Sequence, residues 1–317
     1  MRKFIAIFFA ALFALVSCSP KYGTRVEKLI AELNDPDSKY VFVACHRGDW
    51  RNYPENSIPA MESVIRMGAD IMELDVKMTR DSQLVVCHDR TLTRTTNIHP
   101  DRDPSYPSAN ISDLTLEQIK ALKLRRSQGA TTDSLRVPTL EEALAHCKDR
   151  ILVNLDGGIR YYDMIMEIGE RLGMTGQLFF KGGRLDYVAQ CLTKSPVKPL
   201  YMPIVSPMHN NDIDKFIAFG KENPDSKPFA YELCYGRDNS PEDYKEAAQK
   251  VIAAGSRAWV NTLWPSLSGL GWDDDAAFAA DDPGDVYGPI LASGVSMIQT
   301  DRPELLLTYL RRIGRHD

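Results

Sequence analysis

The amino-acid sequence predicts an α/β protein built as a (β/α)8 barrel, and three observations support this fold class. Apolar runs of about six residues alternate with helix-length amphipathic stretches, as expected for parallel strands joined by helices. Eight of these runs are candidate barrel strands, which start near Val41, Ala69, Ile151, Gln177, Pro199, Phe229, Ala258 and Val295. The length of 317 residues suits one domain of this kind and requires no second one.

The second candidate strand carries two carboxylates in an apolar run. Glu73 and Asp75 in IMELDV are two residues apart, so both side chains point to one face, where they suit a divalent cation. About a dozen residues separate Asp75 from His88, too few for a helical crossover, so LVVCHD is predicted to return as the second arm of a hairpin. With Asp81 and Ser82 as the turn, His88 would face Asp75 across the ladder.

The first candidate strand, VFVACHRG, ends with a histidine and an arginine. Barrel strands present their carboxyl ends to the ligand, so His46 and Arg47 are expected at the rim of the site. Histidine can serve as a general acid or base near neutral pH, while arginine and a cation neutralise a phosphate group. Together with the two carboxylates and His88, these residues are typical of phosphoryl-transfer chemistry.

The motifs HRG, PENS, ELDV, TRDS, VVCHD and the late QTDRP resemble those of the glycerophosphodiester phosphodiesterase family, within the superfamily of phosphodiesterases similar to phosphatidylinositol-specific phospholipase C. The similarity is close over residues 43–96 and looser through the middle of the chain. It implies a TIM barrel, one divalent cation, either Ca²⁺ or Mg²⁺, and hydrolysis of a glycerophosphodiester to an alcohol and glycerol 3-phosphate. It also implies roles for five residues: His46 and His88 as the acid/base pair, Arg47 as a phosphate contact, and Glu73 and Asp75 as metal ligands.

One family motif is altered in this chain. Where the family carries a glutamate and then a lysine at the end of the next strand, in an IEIK-like run, this chain reads ILVNLDGG. Asp156 takes the place of the glutamate as the third metal ligand, and Gly158 takes the place of the lysine without offering a side chain. Lys181, at the end of QLFFK, is a candidate replacement whose long stem can reach the same phosphate. The alternative is that Lys181 caps a strand end in solvent.

Two further motifs concern the walls of the site. In PENS, Glu55 and Asn56 are predicted to order the loop after the first strand through bonds to backbone groups. In AWVNTLWP, one of Trp259 and Trp264 is predicted to form a pocket wall, and Trp264 is assigned as the substrate contact.

Two polar segments are predicted to be loops. Residues from about 93 to 137 form an insertion after the second strand and its hairpin, and we interpret it as a lid, with an irregular surface loop as the alternative. The acidic run at 272–285 lacks the alternation and closing glutamate of an EF-hand, so we interpret it as a solvated loop.

The N-terminus has the pattern of a bacterial lipoprotein signal. MRK is the positive segment, FIAIFFAALFALV the apolar core and LVSC the cleavage site. This predicts a signal peptide at 1–17, an acylated Cys18, a tether with a helix at 18–38 and the barrel domain at 39–317. We expect a lipid-anchored envelope protein, on the periplasmic face of the outer membrane. The alternative is a cleaved secretory signal with free release.

Composition and cysteine count argue against other classes. The net charge is −5 with mixed signs and no basic, aromatic patch, which argues against nucleic-acid binding, and no obligate protein partner is inferred. Six cysteines less Cys18 leave an odd number, so a disulfide framework is not expected. Cys45 and Cys87 each precede a predicted catalytic histidine and are expected to point the other way, into the core.

The sequence leaves several questions open, including the alcohol headgroup, the identity of the cation and the oligomeric state. It does not decide which histidine is the acid, or whether the attacking hydroxyl group comes from water or from the glycerol by way of a cyclic phosphate. Two alternative functions also remain: phospholipase-like cleavage of an intact lipid in the same barrel, and a non-catalytic lipoprotein that binds a phosphate or polyol.

Overall fold

The fold is given by a computed structural model that describes residues 22–126, 129–194, 196–206, 210–236 and 238–317. The signal peptide and Cys18 that the sequence predicts lie outside the described residues. Within those residues, no helix is both long enough and apolar enough to cross a membrane.

The described residues form a parallel barrel surrounded by helices, which confirms the predicted fold class. The strands are β1 (Phe42–Cys45), β2 (Ile71–Met78), β3 (Leu84–Val86), β4 (Leu152–Asp156), β5 (Leu178–Lys181), β6 (Leu200–Met202), β7 (Ile204–Val205), β8 (Ala230–Leu233), β9 (Arg257–Asn261) and β10 (Met297–Thr300). The α-helices are α1 (Arg25–Asn34), α2 (Ile58–Met67), α3 (Leu116–Ala121), α4 (Leu140–Cys147), α5 (Tyr162–Leu172), α6 (Leu185–Lys194), α7 (Asn210–Glu222), α8 (Pro241–Ala253), α9 (Pro265–Ser268), α10 (Asp274–Ala279), α11 (Gly284–Ala292) and α12 (Pro303–Arg312).

The barrel closes through a strand that one proline interrupts. Neighbouring strands follow the order β6-β5-β4-β2-β1-β10-β9-β8-β7, and β3 pairs with β2 outside this path. Only Pro203 separates β6 from β7, and its carbonyl oxygen accepts a 2.9 Å hydrogen bond from the Glu232 N–H on β8. β6 and β7 therefore act as one strand, which gives the eight strands of a TIM barrel. The predicted strand starts lie within two residues of the observed ones, as with Ala69 against Ile71.

Side-chain alternation divides the barrel interior into an apolar floor and a polar mouth. The floor consists of Phe42, Ala44, Ile71, Leu152, Phe179, Met202, Ala230, Trp259 and Met297, and Leu29 of α1 packs against it. Two residues further along, seven of the eight barrel strands carry a buried polar side chain, namely His46, Glu73, Asn154, Lys181, Glu232, Asn261 and Gln299, whereas Ile204 follows Met202. They lie on the side of the barrel that the carboxyl ends of the strands face, where barrel enzymes bind their ligands.

The predicted hairpin is present, but its predicted register is wrong by one residue. The turn contains three residues, 80–82, between the bonded Thr79 N–H and Gln83 carbonyl, and Ser82 has a φ of 59°. Asp75 therefore lies opposite Cys87, whose N–H donates to the Asp75 carbonyl oxygen at 2.9 Å. The next residue, the predicted catalytic histidine, follows the end of β3 instead of pairing across the ladder.

The insertion at 93–137 packs beside the hairpin around its own apolar cluster. Val85 and Cys87 belong to this cluster, together with Ile111 and Ile119. In the part of the insertion that the structure describes, no residue lines the pocket at the barrel mouth. The geometry therefore favours a surface excursion over the predicted lid.

The cysteine prediction is confirmed for the described residues. Cys45, Cys87, Cys147, Cys191 and Cys234 are all free thiols. Cys45 and Cys87 are buried, and burial raises the pKa of Cys87 to about 12. Both are therefore unreactive core residues.

Candidate active site

One pocket at the carboxyl ends of the strands collects the residues that the sequence singled out. It has a volume of about 140 Å³. Seven predicted site residues line it, namely His46, Arg47, Glu73, His88, Asp156, Lys181 and Trp264. The eighth, Asp75, belongs to an acidic cluster at the same place. The walls also include Glu232, Asn261 and Gln299, which the sequence analysis did not assign.

Glu73, Asp75 and Asp156 form an acidic cluster that suits a cation. One oxygen of each lies within 4.8 Å of the others, and the pairing of β2 with β4 sets Asp75 beside Asp156. Burial, and then the charge of Asp75, raises the pKa of Glu73 well above its usual value. Burial also raises the pKa of Asp156, but the Lys181 ammonium group outweighs burial and the net shift is downward. Three converging carboxylates that repel one another and offer only oxygens fit a hard divalent cation such as Ca²⁺ or Mg²⁺.

The loop after β1 has a strained backbone that directs polar groups at this cluster. Arg47 and Asn56 both have a φ of 56°, in the left-handed region. The Arg47 N–H donates to Glu73 Oε2, and Asn56 Nδ2 donates to Asp75 Oδ2, both at 2.9 Å. The Asn56 N–H also donates to the Arg47 carbonyl oxygen at 2.9 Å. The PENS segment therefore orders the loop, but its Glu55 and Asn56 side chains bond mainly to other side chains instead of the predicted backbone groups.

Arg47 places a positive charge in the pocket wall. Its guanidinium lies 3.7 Å from Asp75 Oδ2 and 3.5 Å from Glu55 Oε1. Arg94 holds Glu55 with two hydrogen bonds of 2.5 and 2.8 Å. The buried Nε of Arg47 has no hydrogen-bond partner among the described residues. Arg47 thus keeps donor capacity for an anionic ligand.

His46 is oriented by a chain of buried acids. Its Nδ1 lies 2.8 Å from Asp301 Oδ1, which also accepts a 2.6 Å hydrogen bond from Trp50 Nε1. The Asp301 N–H donates to Asp274 Oδ2 at 2.6 Å. Because a carboxylate accepts, the hydrogen-bond network assigns the proton of the neutral imidazole to Nδ1 and leaves Nε2 free to accept a proton.

His88 also pairs with a carboxylate but is more exposed. Its Nδ1 lies 2.7 Å from Asp89 Oδ1. The exposed fraction of its side chain is 44%, against 10% for His46. Hydrogen bonds from Arg94 lower the pKa of Asp89 to about 2, so Asp89 is an anion near neutral pH. The two histidines therefore have similar partners and different access to solvent.

Lys181 lies inside the pocket. Its side chain is 5% exposed, and its Nζ lies 3.2 Å from Asp156 Oδ2 and 3.5 Å from Glu232 Oε2. Burial lowers the pKa of Lys181, but these carboxylates outweigh burial and raise it, so the side chain is charged. The alternative of a solvated strand cap is therefore wrong.

Trp264 stands at the pocket mouth, 42% exposed, with its ring 6.0 Å from that of His46.

Gly158 has no room for the lysine that the family carries there. A Cβ at Gly158 would lie 2.8 Å from Leu155 Cβ and 3.2 Å from Ile165 Cδ1. We expect Gly158→Ala to lower the free energy of unfolding by about 1–3 kcal/mol through overpacking, as measured by chemical denaturation. Gly176→Ala is the matched control, because no atom lies within 4 Å of its Cβ position. Equal stability of the two variants would contradict this account.

The sequence analysis missed three acidic residues. Its interpretation of the run at 272–285 as solvated is wrong at Asp274, which is fully buried and accepts hydrogen bonds from two threonine hydroxyls. Burial raises the pKa of Asp274 to about 6. Asp301 stands in the QTDRP motif, but its partner His46 is 255 residues away in sequence. The one available signal for Glu232 was a charged residue inside the apolar run FAYELC.

Residues 46–175 match the model of the glycerophosphoryl diester phosphodiesterase family. These residues are therefore similar to that family, and they make up less than half of the chain. A glycerophosphodiester phosphodiesterase of Caldanaerobacter subterraneus subsp. tengcongensis is 41% identical over 128 residues, which cover 39% of this chain and 49% of that protein. Human glycerophosphodiester phosphodiesterase 1 is 35% identical over 104 residues, which cover 32% of this chain and 29% of that protein. The chain thus spans at most about half the length of these relatives.

Solved structures of the family share the fold over most of the chain. A glycerophosphoryl diester phosphodiesterase from Parabacteroides distasonis has a TM-score of 0.67 at 21% identity, covering 91% of this chain and 92% of that one. A phosphodiesterase from Oleispira antarctica, solved in complex with the product sn-glycerol-3-phosphate, has a TM-score of 0.60 at 15% identity, covering 85% of this chain and 96% of that one. At these identities the likeness concerns the fold. Residues 201–310 match a second family, described as a domain of unknown function.

Proposed function

We propose that this chain is a glycerophosphodiester phosphodiesterase, which hydrolyses its substrate to an alcohol and glycerol 3-phosphate. The observation that carries the proposal is the convergence, at one barrel mouth, of an acidic cluster and two histidines that each pair with an aspartate. The family match of residues 46–175 and the names of the relatives support the substrate class. The product bound to the Oleispira antarctica enzyme is the product proposed here.

The positive groups of the pocket neutralise the negative charge of the substrate. A phosphodiester is an anion that repels nucleophiles, and negative charge grows on its equatorial oxygens during the reaction. A divalent cation held by Glu73, Asp75 and Asp156 would neutralise part of that charge. Arg47 contributes from the wall beside this cluster, and Lys181 supplies from β5 the ammonium group that position 158 cannot.

In this proposal, His46 and His88 each carry out one of two proton transfers. One takes the proton from the attacking hydroxyl group, and the other protonates the departing alkoxide. Each aspartate partner holds Nδ1 of its histidine, which leaves both Nε2 atoms for these transfers. The aspartates also stabilise each imidazolium when it forms.

The alternative substrate is an intact phospholipid. We expect the full chain, purified in detergent, to release glycerol 3-phosphate from a glycerophosphodiester and to leave the diacyl lipid with the same headgroup intact. The reason is that most residues lining the pocket, which has a volume of about 140 Å³, are charged or polar. Cleavage of the diacyl lipid instead would support the phospholipase-like function. Binding of phosphate without turnover of either compound would support the receptor function.

We also propose that Cys18 carries a lipid that anchors the chain to the bacterial envelope, on the periplasmic face of the outer membrane. The charged, apolar and LVSC segments of the N-terminus support this proposal. Cells that express the chain should incorporate labelled fatty acid into it and retain it with the membrane fraction. Cys18→Ala should lose both properties, and Cys191→Ala is the matched control. Full labelling of the Cys18→Ala variant would contradict the anchor.

A further inference from the structure

We propose that Glu232 accepts a hydrogen bond from a glycerol hydroxyl of the substrate and that Glu232 and Asn261 form a polyol-binding subsite. This inference rests on the proposed function and adds to it the groups that recognise the glycerol. Glu232 lies on β8 and Asn261 at the end of β9, and both side chains line the pocket that holds the acidic cluster.

Glu232 carries a buried acceptor oxygen that makes no good hydrogen bond, because Lys181 Nζ lies 3.5 Å away from it. Glu232 is 5% exposed, and its Oε1 accepts a hydrogen bond from Asn261 Nδ2 at 2.8 Å. Its other oxygen, Oε2, is buried and has no hydrogen-bond partner among the described residues. Buried acceptors are nearly always satisfied in folded proteins, so an orphan oxygen at a pocket wall indicates a ligand donor.

Asn261 holds this carboxylate in a defined orientation. Asn261 Oδ1 accepts a hydrogen bond from Trp259 Nε1 at 2.9 Å, while its Nδ2 donates to Glu232. Rotating the amide by half a turn would lose both bonds. The orientation of the Glu232 carboxylate is therefore fixed by the protein interior, since Trp259 is itself fully buried in the barrel floor.

The charges around Glu232 Oε2 indicate which kind of ligand donor can bind there. A carboxylate repels the phosphate oxygens, so Oε2 does not contact the phosphate group. Lys181 Nζ lies 3.5 Å from Oε2 and balances the charge of Glu232. Within the described residues, the cluster that can hold a cation comprises Glu73, Asp75 and Asp156 and leaves Glu232 out. A neutral hydroxyl group fits these conditions better than a cation, and glycerol hydroxyls are common to all glycerophosphodiesters.

The two halves of the barrel thus contribute different parts of the site: the first the acidic cluster and both histidines, the second the polyol-binding subsite. The acidic cluster and both histidines come from residues 46–175, which match the phosphodiesterase family. Glu232 and Asn261 come from residues 201–310, which match a domain of unknown function. We assign to this second segment the recognition of the glycerol.

The test compares two substrates that differ only in their hydroxyl groups. Both carry a p-nitrophenyl leaving group on phosphate, and the second ester is either glycerol or propyl. For the wild-type full chain with Ca²⁺, we expect kcat/KM to favour the glycerol ester by at least about tenfold. In Glu232→Ala this ratio should fall to within about threefold of one, and in Glu232→Gln to an intermediate value, since a neutral amide binds a hydroxyl more weakly than a carboxylate does.

The control is Glu246→Gln, on the exposed side of α8, which should keep the wild-type ratio. A wild-type ratio in Glu232→Ala would overturn the subsite. Thermal unfolding shows whether the Glu232→Ala variant is folded. If it is not folded, the Glu232→Gln variant decides: a wild-type ratio of the two kcat/KM values in that variant would overturn the proposal.

A binding measurement separates failure of this inference from failure of the proposed function. Calorimetry on the same chains compares glycerol 3-phosphate with propyl phosphate and needs no turnover. If the wild type hydrolyses neither ester, the proposed function fails, while the subsite still requires a binding preference for glycerol 3-phosphate that Glu232→Ala loses. Equal affinities of the wild type for both compounds would overturn the subsite.

Discussion

Replacing His46 with alanine is expected to lower kcat for a glycerophosphodiester by about 10²–10⁴-fold, the usual contribution of one positioned general acid or base. Asp301 orients this imidazole, and His88 pairs with a different carboxylate, that of Asp89, so His88 is not oriented to replace it. KM should change little, since the phosphate is held by other groups. Steady-state kinetics with a coupled assay for glycerol 3-phosphate measures both constants.

Two further variants define what this result means. His99→Ala removes an exposed histidine of the insertion and should keep the wild-type kcat. Asp301→Asn keeps an acceptor for His46 but removes its charge, so we expect a smaller loss and a changed pH dependence of kcat. A His46→Ala variant with wild-type kcat would remove His46 from the mechanism.

Removal of divalent cations is expected to lower kcat by at least about 10³-fold, because the charge stabilisation of the transition state is worth several kcal/mol. Chelation followed by dialysis and readdition of Ca²⁺ or Mg²⁺ should restore activity. The acidic cluster also predicts an effect on stability, because a cation that binds only the folded chain raises the unfolding temperature by mass action.

Glu73→Gln gives this prediction a readout that does not depend on activity. In chelator, the variant should unfold at a higher temperature than the wild type, because the amide removes a buried charge that faces Asp75. With Ca²⁺ the order should reverse, because the variant has lost a ligand. Glu246→Gln, the exposed control, should follow the wild type in both conditions. If the same protein, wild type or Glu73→Gln, has the higher unfolding temperature both with and without Ca²⁺, this would argue against a cation at this cluster.

The parts of the site that follow from local rules could be predicted from sequence. Strand alternation puts Glu73 and Asp75 on one face, and the carboxyl-end rule brings His46 and Asp156 to the same rim. The eight strands were recognisable because the apolar runs are short and most of them are followed by an amphipathic helix. Lys181 was found because it ends such a strand, although its burial between two carboxylates required the structure.

The parts that depend on turn geometry or long-range contacts could not be predicted. A three-residue turn instead of a two-residue turn moves every partner of the hairpin by one position, which is why Asp75 faces Cys87. Asp274 stands in an acidic run that looks solvated, and its burial follows from packing against the ends of β9 and β10. The Lys181 and Glu232 pair joins strands that are distant in sequence. None of these contacts leaves a periodic signal in the chain.

The acidic cluster and the two histidines are expected to act together on a glycerophosphodiester. The most direct test is the initial rate of glycerol 3-phosphate release by the full chain from a panel of glycerophosphodiesters, with Ca²⁺, with Mg²⁺ and with chelator. We predict release from at least one member of the panel that requires a cation. Release that chelation leaves unchanged, or no release from any member while calorimetry shows the cation bound, would contradict the account.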